Sequence, residues 1–156
     1  LETMEETLAV WSVFESFVRE KKVFHLGISN CYDFIFFNEL YQKSRIKPRF
    51  LQNRFYQKSG YDKELRKFCR ENAISYQSFW TLTANPHLLE AKELLLLAKN
   101  YNVESTQILF RALTQWQVIP LIGTSSKEHM RADLAIFDFS LTDQELESIE
   151  QKLFSF

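Results

Sequence analysis

The chain has 156 residues, 46% of them apolar and 25% charged, with 19 Lys and Arg against 20 Asp and Glu. A chain of this size can bury one sizeable core, and its even charge balance supplies no field that would draw nucleic acid or an acidic membrane surface. No run approaches the roughly 20 apolar residues of a bilayer span; Leu94-Leu95-Leu96-Leu97, flanked by Lys92 and Lys99, is expected to be a buried helix face.

The opening segment puts Leu8, Trp11, Phe14, Phe17 and Val18 on one helical stripe, and Thr3-Met4-Glu5-Glu6 has the pattern of a capping box. A helix is predicted to end near Lys21 and Lys22, where cations suit the negative end of the helix dipole. Val23-Phe24-His25-Leu26-Gly27-Ile28-Ser29 is apolar on both alternating rows, which predicts a strand buried on both faces. Next come a helix from Asp33 to Lys43, a strand Arg49 to Phe55, a helix Asp62 to Glu71 and a strand Ile74 to Trp80. Helices Leu88 to Lys99 and Glu104 to Trp116 precede a strand Val118 to Ile122 and a short helix Lys127 to Leu134. Thr142-Asp143-Gln144-Glu145 is a second capping box, opening a helix with Leu146, Ile149 and Leu153 on one face.

Alternating strand and helix argue for a parallel sheet built by crossovers. No linker or low-complexity segment intervenes, so residues 1–156 read as a single domain. Four parallel strands by themselves leave two edges and one uncovered face. The chain is therefore expected to need another half, in cis, in trans or by self-association. The alternative is an open doubly wound sheet with helices on both faces.

Individual residues narrow the chemistry. Nothing in Leu1 to Glu6 resembles a secretory signal. Cys31 and Cys69 lie far apart without metal-ligand spacing, so reduced thiols in a cytoplasmic setting are expected. His25, His87 and His129 share no ligand spacing either, and no metal site is predicted; His25, mid-strand, reads as a satisfied interior group. With only three glycines, Gly27, Gly60 and Gly123 mark positions where the backbone has special needs.

At Gly27-Ile28-Ser29-Asn30, preceded by Trp11, Glu15 and Lys22-Val23, the chain resembles the aldo-keto reductases. Lys47-Pro48-Arg49-Phe50-Leu51-Gln52 continues the likeness, as do Leu65 to Ile74, Leu97 to Tyr101, Gln107 to Arg111 and Ala135 to Thr142. The likeness implies an α/β fold equivalent to the C-terminal half of a (β/α)8 barrel, with about four parallel strands and flanking helices. It also implies an NAD(P)H-dependent oxidoreductase acting on small carbonyl substrates, aldehydes or ketones, with NADP or NAD as cofactor.

By that resemblance Ser29, Asn30 and Gln52 would hold the nicotinamide carboxamide. Phe79, standing where the family has a tyrosine, would stack on the ring, since an aromatic face needs no hydroxyl to do so. Thr124, Ser125 and His129 would meet the adenosine phosphate at the start of a helix, where backbone N–H groups are free, and Asp133 falls where an asparagine often meets adenine. The sequence departs from the family at Trp80-Thr81-Leu82-Thr83, where Ser-Pro-Leu-Gly is usual, and at Gly123 and His129, where NADP selectivity leans on a lysine and an arginine. The family's catalytic tyrosine, lysine, aspartate and histidine belong to the first half of the barrel, so no catalytic residue is assigned in this chain. A non-catalytic, reductase-derived interaction module or subunit of a larger assembly is the competing expectation.

Overall fold

The computed structural model describes residues 3–155, so Leu1 and Glu2 at the start of the N-terminal segment lie outside the described residues. Its elements run α1 (Met4–Arg19), β1 (Gly27–Ser29), α2 (Phe34–Lys43), β2 (Phe50–Arg54), α3 (Lys63–Glu71), β3 (Ser75–Phe79), α4 (Pro86–Leu89), α5 (Lys92–Tyr101), α6 (Ser105–Gln115), β4 (Val118–Pro120), α7 (Lys127–Leu134) and α8 (Asp143–Leu153). The four strands are parallel and hydrogen-bonded in chain order, β1-β2-β3-β4. An unbroken sequential order is that of strands wound in one sense, and it removes the doubly wound alternative, whose order reverses at a switch point.

Two compact units are built on these strands: residues 3–53 with 62–77, and residues 54–61 with 78–155. In the first unit, Trp11, Leu26 and Leu40 form a buried cluster against which Leu8, Val18, Ile28 and Ile46 pack. Phe68 receives Phe34, Phe37 and Tyr41 edge-on at ring separations of 5.3 to 5.9 Å, the geometry the ring quadrupoles favour. In the second, Leu94, Ile108, Leu109, Phe110 and Leu113 are buried, as are Ile149 and Leu153 of α8.

Both predicted capping boxes form. Thr3 accepts from the Glu6 N–H while the Glu6 carboxylate accepts from Thr3, and Thr142 and Glu145 repeat the exchange at α8. These pairs satisfy two N–H groups at each helix start that would otherwise lack partners.

Differences from expectation follow from local geometry. The first strand is confined to Gly27–Ser29, and Val23 and Phe24 of the apolar run before it are exposed, Phe24 by 86%, while Leu26 is buried. β2 and β3 bury alternate residues: Leu51, Asn53, Tyr76 and Ser78 are covered, while Gln52, Arg54, Gln77 and Phe79 are partly open. This is the period-two pattern of a sheet covered on one face. His25 lies outside β1, exposed, with its ring 6.1 Å from Phe50, so it is not an interior group. The predicted helix Leu88 to Lys99 is broken by an extended Ala91 into α4 and α5, and the leucine run is split, with Leu94 and Leu97 buried and Leu95 and Leu96 exposed. Four successive leucines at 100° per residue cannot share one face of a helix.

Candidate functional site

α1 holds the segment that leads into β2. Glu15, buried, accepts from the Arg45 and Ile46 backbone N–H groups through one oxygen at 2.8 and 2.9 Å, and the Trp11 indole N–H donates to the Ile46 carbonyl at 2.9 Å. Trp11 and Glu15 are four residues apart, one above the other on the helix, so both clasp the segment leading into β2. At Gly27 β1 comes close to that strand. A Cβ there would lie 2.8 Å from the Phe50 Cβ and 2.9 Å from its carbonyl oxygen.

With that register Ser29 lies opposite Gln52. Asn30 follows with a left-handed φ of 56°, donates its backbone N–H to the Gln52 carbonyl at 2.9 Å, and so ends the strand. Asparagine visits this region more readily than most residues. Its carboxamide donates to the Ser29 hydroxyl at 3.5 Å and accepts from the Tyr32 hydroxyl at 3.3 Å. Gln52 Nε2 donates to Gln77 Oε1 at 2.9 Å, which tethers its amide to the neighbouring strand. The fold thus brings together three of the predicted residues in the first unit, with Ser29 and Asn30 exposed. Neutral donors and acceptors gathered at a strand end fit a carboxamide, which has both kinds of partner to offer.

On the covered face behind this trio lies a polar group that the sequence reading overlooked. Asn53, fully buried, accepts from the Cys31 N–H at 2.9 Å and donates to the Cys31 carbonyl at 2.7 Å and to Asp62 Oδ2 at 2.6 Å. Asp62 Oδ2 also accepts from the Tyr76 hydroxyl at 2.8 Å. Burial, and then the neighbouring Asp62, hold the Tyr76 hydroxyl well above its ordinary pKa. Burial likewise pushes the Cys31 thiol up to about 11, with Asp33 and Asp62 adding to it, and the Cys69 thiol up to about 12. The available signal was Asn53 itself, a polar residue on the row of β2 that the alternation assigns to the core. The chain enters α3 through Asp62 with a φ of 50°, a left-handed placement that costs a non-glycine residue roughly 1–2 kcal/mol.

In the second unit Phe79, partly buried, ends β3 beside a cleft of about 410 Å³ that is also lined by Trp80, Thr81, Leu82 and Gly123. The Arg54 guanidinium stands 4.4 Å from the centre of the Trp80 ring, a cation-π contact absent from the sequence reading. At the start of α7, Thr124 accepts from the Ser126 N–H at 3.1 Å, and its hydroxyl is 3.5 Å from His129 Nδ1. Ser126 caps the helix by accepting from the His129 N–H at 3.2 Å and donates its hydroxyl to Glu128 at 2.9 Å. Thr124 and His129 are therefore adjacent, with Ser125 exposed between them in sequence. The Glu128 carboxyl, its pKa lowered by its own backbone N–H and by Ser126, puts a negative charge in the first turn of α7.

A larger cavity of about 780 Å³ lies along β4 and α7, with Val118, Ile119, Ile122, Leu134 and Phe137 among its walls. Asp133 also lines it, and burial raises the pKa of that carboxyl against the pull of His129. Among the described residues no three histidines, cysteines or carboxylates gather as metal ligands, and no helix is long and apolar enough to cross a membrane.

Comparison with known proteins places these strand ends in context. The model of the aldo/keto reductase family matches residues 2–153. The chain belongs to this family. It is similar to an uncharacterized oxidoreductase of Schizosaccharomyces pombe, with 31% identity over 148 residues that span 92% of this chain and 51% of the relative. It is also similar to the 9,11-endoperoxide prostaglandin H2 reductase of Trypanosoma cruzi, at 24% identity over 90% of this chain and 50% of that protein. Among solved structures, an aldo-keto reductase from a Medee basin deep-sea metagenome library superposes with a TM-score of 0.85 at 22% identity, covering 98% of this chain and 56% of that one. An aldo/keto reductase from Brucella melitensis gives a TM-score of 0.83 at 21% identity over 98% of this chain and 57% of that one. These structures support the fold, and the chain spans about half the length of the curated relatives it matches.

Proposed function

We propose that this chain is the cofactor-holding part of an NAD(P)H-dependent reductase of aldehydes or ketones, completed by a second half that supplies the proton-donating residues. The observation that carries this reading is the gathering of Ser29, Asn30 and Gln52 at adjoining strand ends, with Gln77 tethering the Gln52 amide. When bound, a reduced nicotinamide supplies a hydride to the carbonyl carbon. The chain's own residues bind and orient. Ser29, Asn30 and Gln52 hold the ring's carboxamide, which fixes the face that is presented. Phe79 offers its ring for stacking.

Thr124, Ser125 and His129 hold the adenosine phosphate, helped by the α7 N-terminus and by Lys127. With Gly123 and His129 where the family leans on cations, and Glu128 beside them, the grip on a 2′-phosphate is weak, so NADP and NAD are accepted with similar affinity. The two buried, unpaired thiols suit a reducing, cytoplasmic setting.

A second reading, that the chain serves as a reductase-derived interaction module, draws on the apolar walls along β4 and α7, where Leu134 and Phe137 are largely exposed. Titration with NADPH and NADH, followed by cofactor fluorescence, decides between them. Reductase ancestry with retained binding predicts saturation that Ser29→Ala and Gln52→Ala each weaken by about tenfold, the equivalent of one lost hydrogen bond to a buried partner. No fluorescence change at millimolar cofactor refutes the first reading for this chain and favours the second.

A further inference from the structure

We infer that Asn53, locked by Asp62, is a positioning residue that holds the Ser29–Asn30 arm in register with Gln52 and thereby sets the grip on the nicotinamide carboxamide. This rests on the reading of that arm as the nicotinamide site. Backbone pairing between β1 and β2 ends with the Asn30 N–H bonded to the Gln52 carbonyl. Beyond it the left-handed Asn30 takes the chain out of the strand, and Cys31 can no longer find a backbone partner on β2 by continuing the ladder. The Asn53 carboxamide takes over, accepting from the Cys31 N–H and donating to the Cys31 carbonyl, as a peptide group would. Asn53 is one residue after Gln52, so its side chain leaves β2 on the opposite face. One short stretch of strand thus presents Gln52 to the ligand and pins the neighbouring arm from behind.

Asp62 gives this clamp its direction. The Asn53 nitrogen faces two acceptors, the Cys31 carbonyl and the Asp62 carboxylate, while its oxygen faces a donor. A flipped amide would set an oxygen against two oxygens, so only one orientation is stable. The carboxylate is itself steadied by the Tyr76 hydroxyl from β3. It reaches this place from three successive left-handed residues, Gly60, Tyr61 and Asp62, at φ of 59°, 52° and 50°. Strained backbone persists where surrounding contacts over-determine it, and here it delivers a carboxylate to a fully buried amide beside a candidate site. Filling that space with an apolar side chain would serve packing equally well but would leave Cys31 unpinned.

The test uses the full chain. Asn53→Leu, close in volume, should speed hydrogen exchange at the Cys31 and Asn30 amides by about tenfold or more, the loss of one buried hydrogen bond. It should weaken reduced nicotinamide mononucleotide by about tenfold while leaving adenosine 2′,5′-bisphosphate within about twofold. Asp62→Asn, which keeps an acceptor oxygen for Asn53, should give a smaller loss of the same kind. Equal weakening of both half-cofactors, or exchange at Asn30 and Cys31 unchanged in Asn53→Leu, overturns the inference. If wild-type chain binds neither half, the functional reading fails, and exchange at Asn30 and Cys31 still decides whether Asn53 holds the arm. Should Asn53→Leu not fold, Tyr76→Phe removes one hydroxyl with little change of volume. It is expected to speed Cys31 exchange by about threefold through a loosened Asp62, and an unchanged rate overturns the inference.

Discussion

Removing the Glu15 carboxylate tests whether α1 holds the segment that leads into β2. Glu15 is 4% exposed, and one of its oxygens accepts from two backbone N–H groups at 2.8 and 2.9 Å. Hydrogen bonds to a charged group contribute about 1.5–3 kcal/mol each, less where the freed donors can reach water. Arg45 is exposed and Ile46 is not, so Glu15→Ala is expected to cost about 3 kcal/mol in all. Glu15→Gln keeps an oxygen in the same place and loses only the charge, at about 1 kcal/mol. The Arg19 partner, 3.7 Å away and largely exposed, adds little to either number. Urea unfolding followed by tryptophan fluorescence reads both, and with a slope near 2 kcal/mol/M the midpoints fall by about 1.5 M for alanine and about 0.5 M for glutamine. Equal midpoints for the two variants, or an alanine midpoint within about 0.2 M of wild type, would refute the clasp.

Other perturbations have defined outcomes. Gly27→Ala, whose Cβ would meet Phe50 backbone at 2.9 Å, is expected to destabilise by about 2 kcal/mol on the same urea curves. Gly60→Ala has open space around its Cβ but keeps a φ of 59°, so it loses only about 1 kcal/mol. Thr142→Ala removes the side-chain cap from the Glu145 N–H of α8 and costs about 1 kcal/mol, most of which Thr142→Ser recovers. The Cys31 and Cys69 thiols are raised in the folded state from 9.0 to about 11 and about 12, mainly by burial. Folding therefore favours their protonated forms, a contribution complete below pH 9 and lost as the pH rises through about 11 to 12. Thermal midpoints should fall across that window, and native thiols should react with an alkylating reagent only slowly at pH 8; a midpoint flat from pH 8 to pH 11 would count against both burial and sign.

Sequence periodicity was enough to locate nearly every helix and all four strands, because amphipathic spacing and capping residues act within one or two turns of chain. Thr3 with Glu6, Asp33 at α2 and Thr142 with Glu145 are local hydrogen bonds, legible without knowing what lies opposite. The family likeness, carried by Gly27 to Asn30 and by Lys47 to Gln52, agreed with the family match over residues 2–153. The break at Ala91 and the short extent of β1 were not legible, since both depend on what the flanking segments pack against.

The same division holds at the candidate site. That Ser29, Asn30 and Gln52 are neutral hydrogen-bonding residues could be read from the chain, and their likeness to a nicotinamide-binding trio came with the family. Only the tertiary structure decided that Ser29 faces Gln52, that Gln77 bonds the Gln52 amide, and that Asn53 and Asp62 brace Cys31 from the covered side. The residues of each pair are 9 to 25 positions apart in sequence. Contacts of that span are set by strand register and by the left-handed turn at residues 60 to 62, of which the sequence signals only Gly60, and not the left-handed Tyr61 and Asp62.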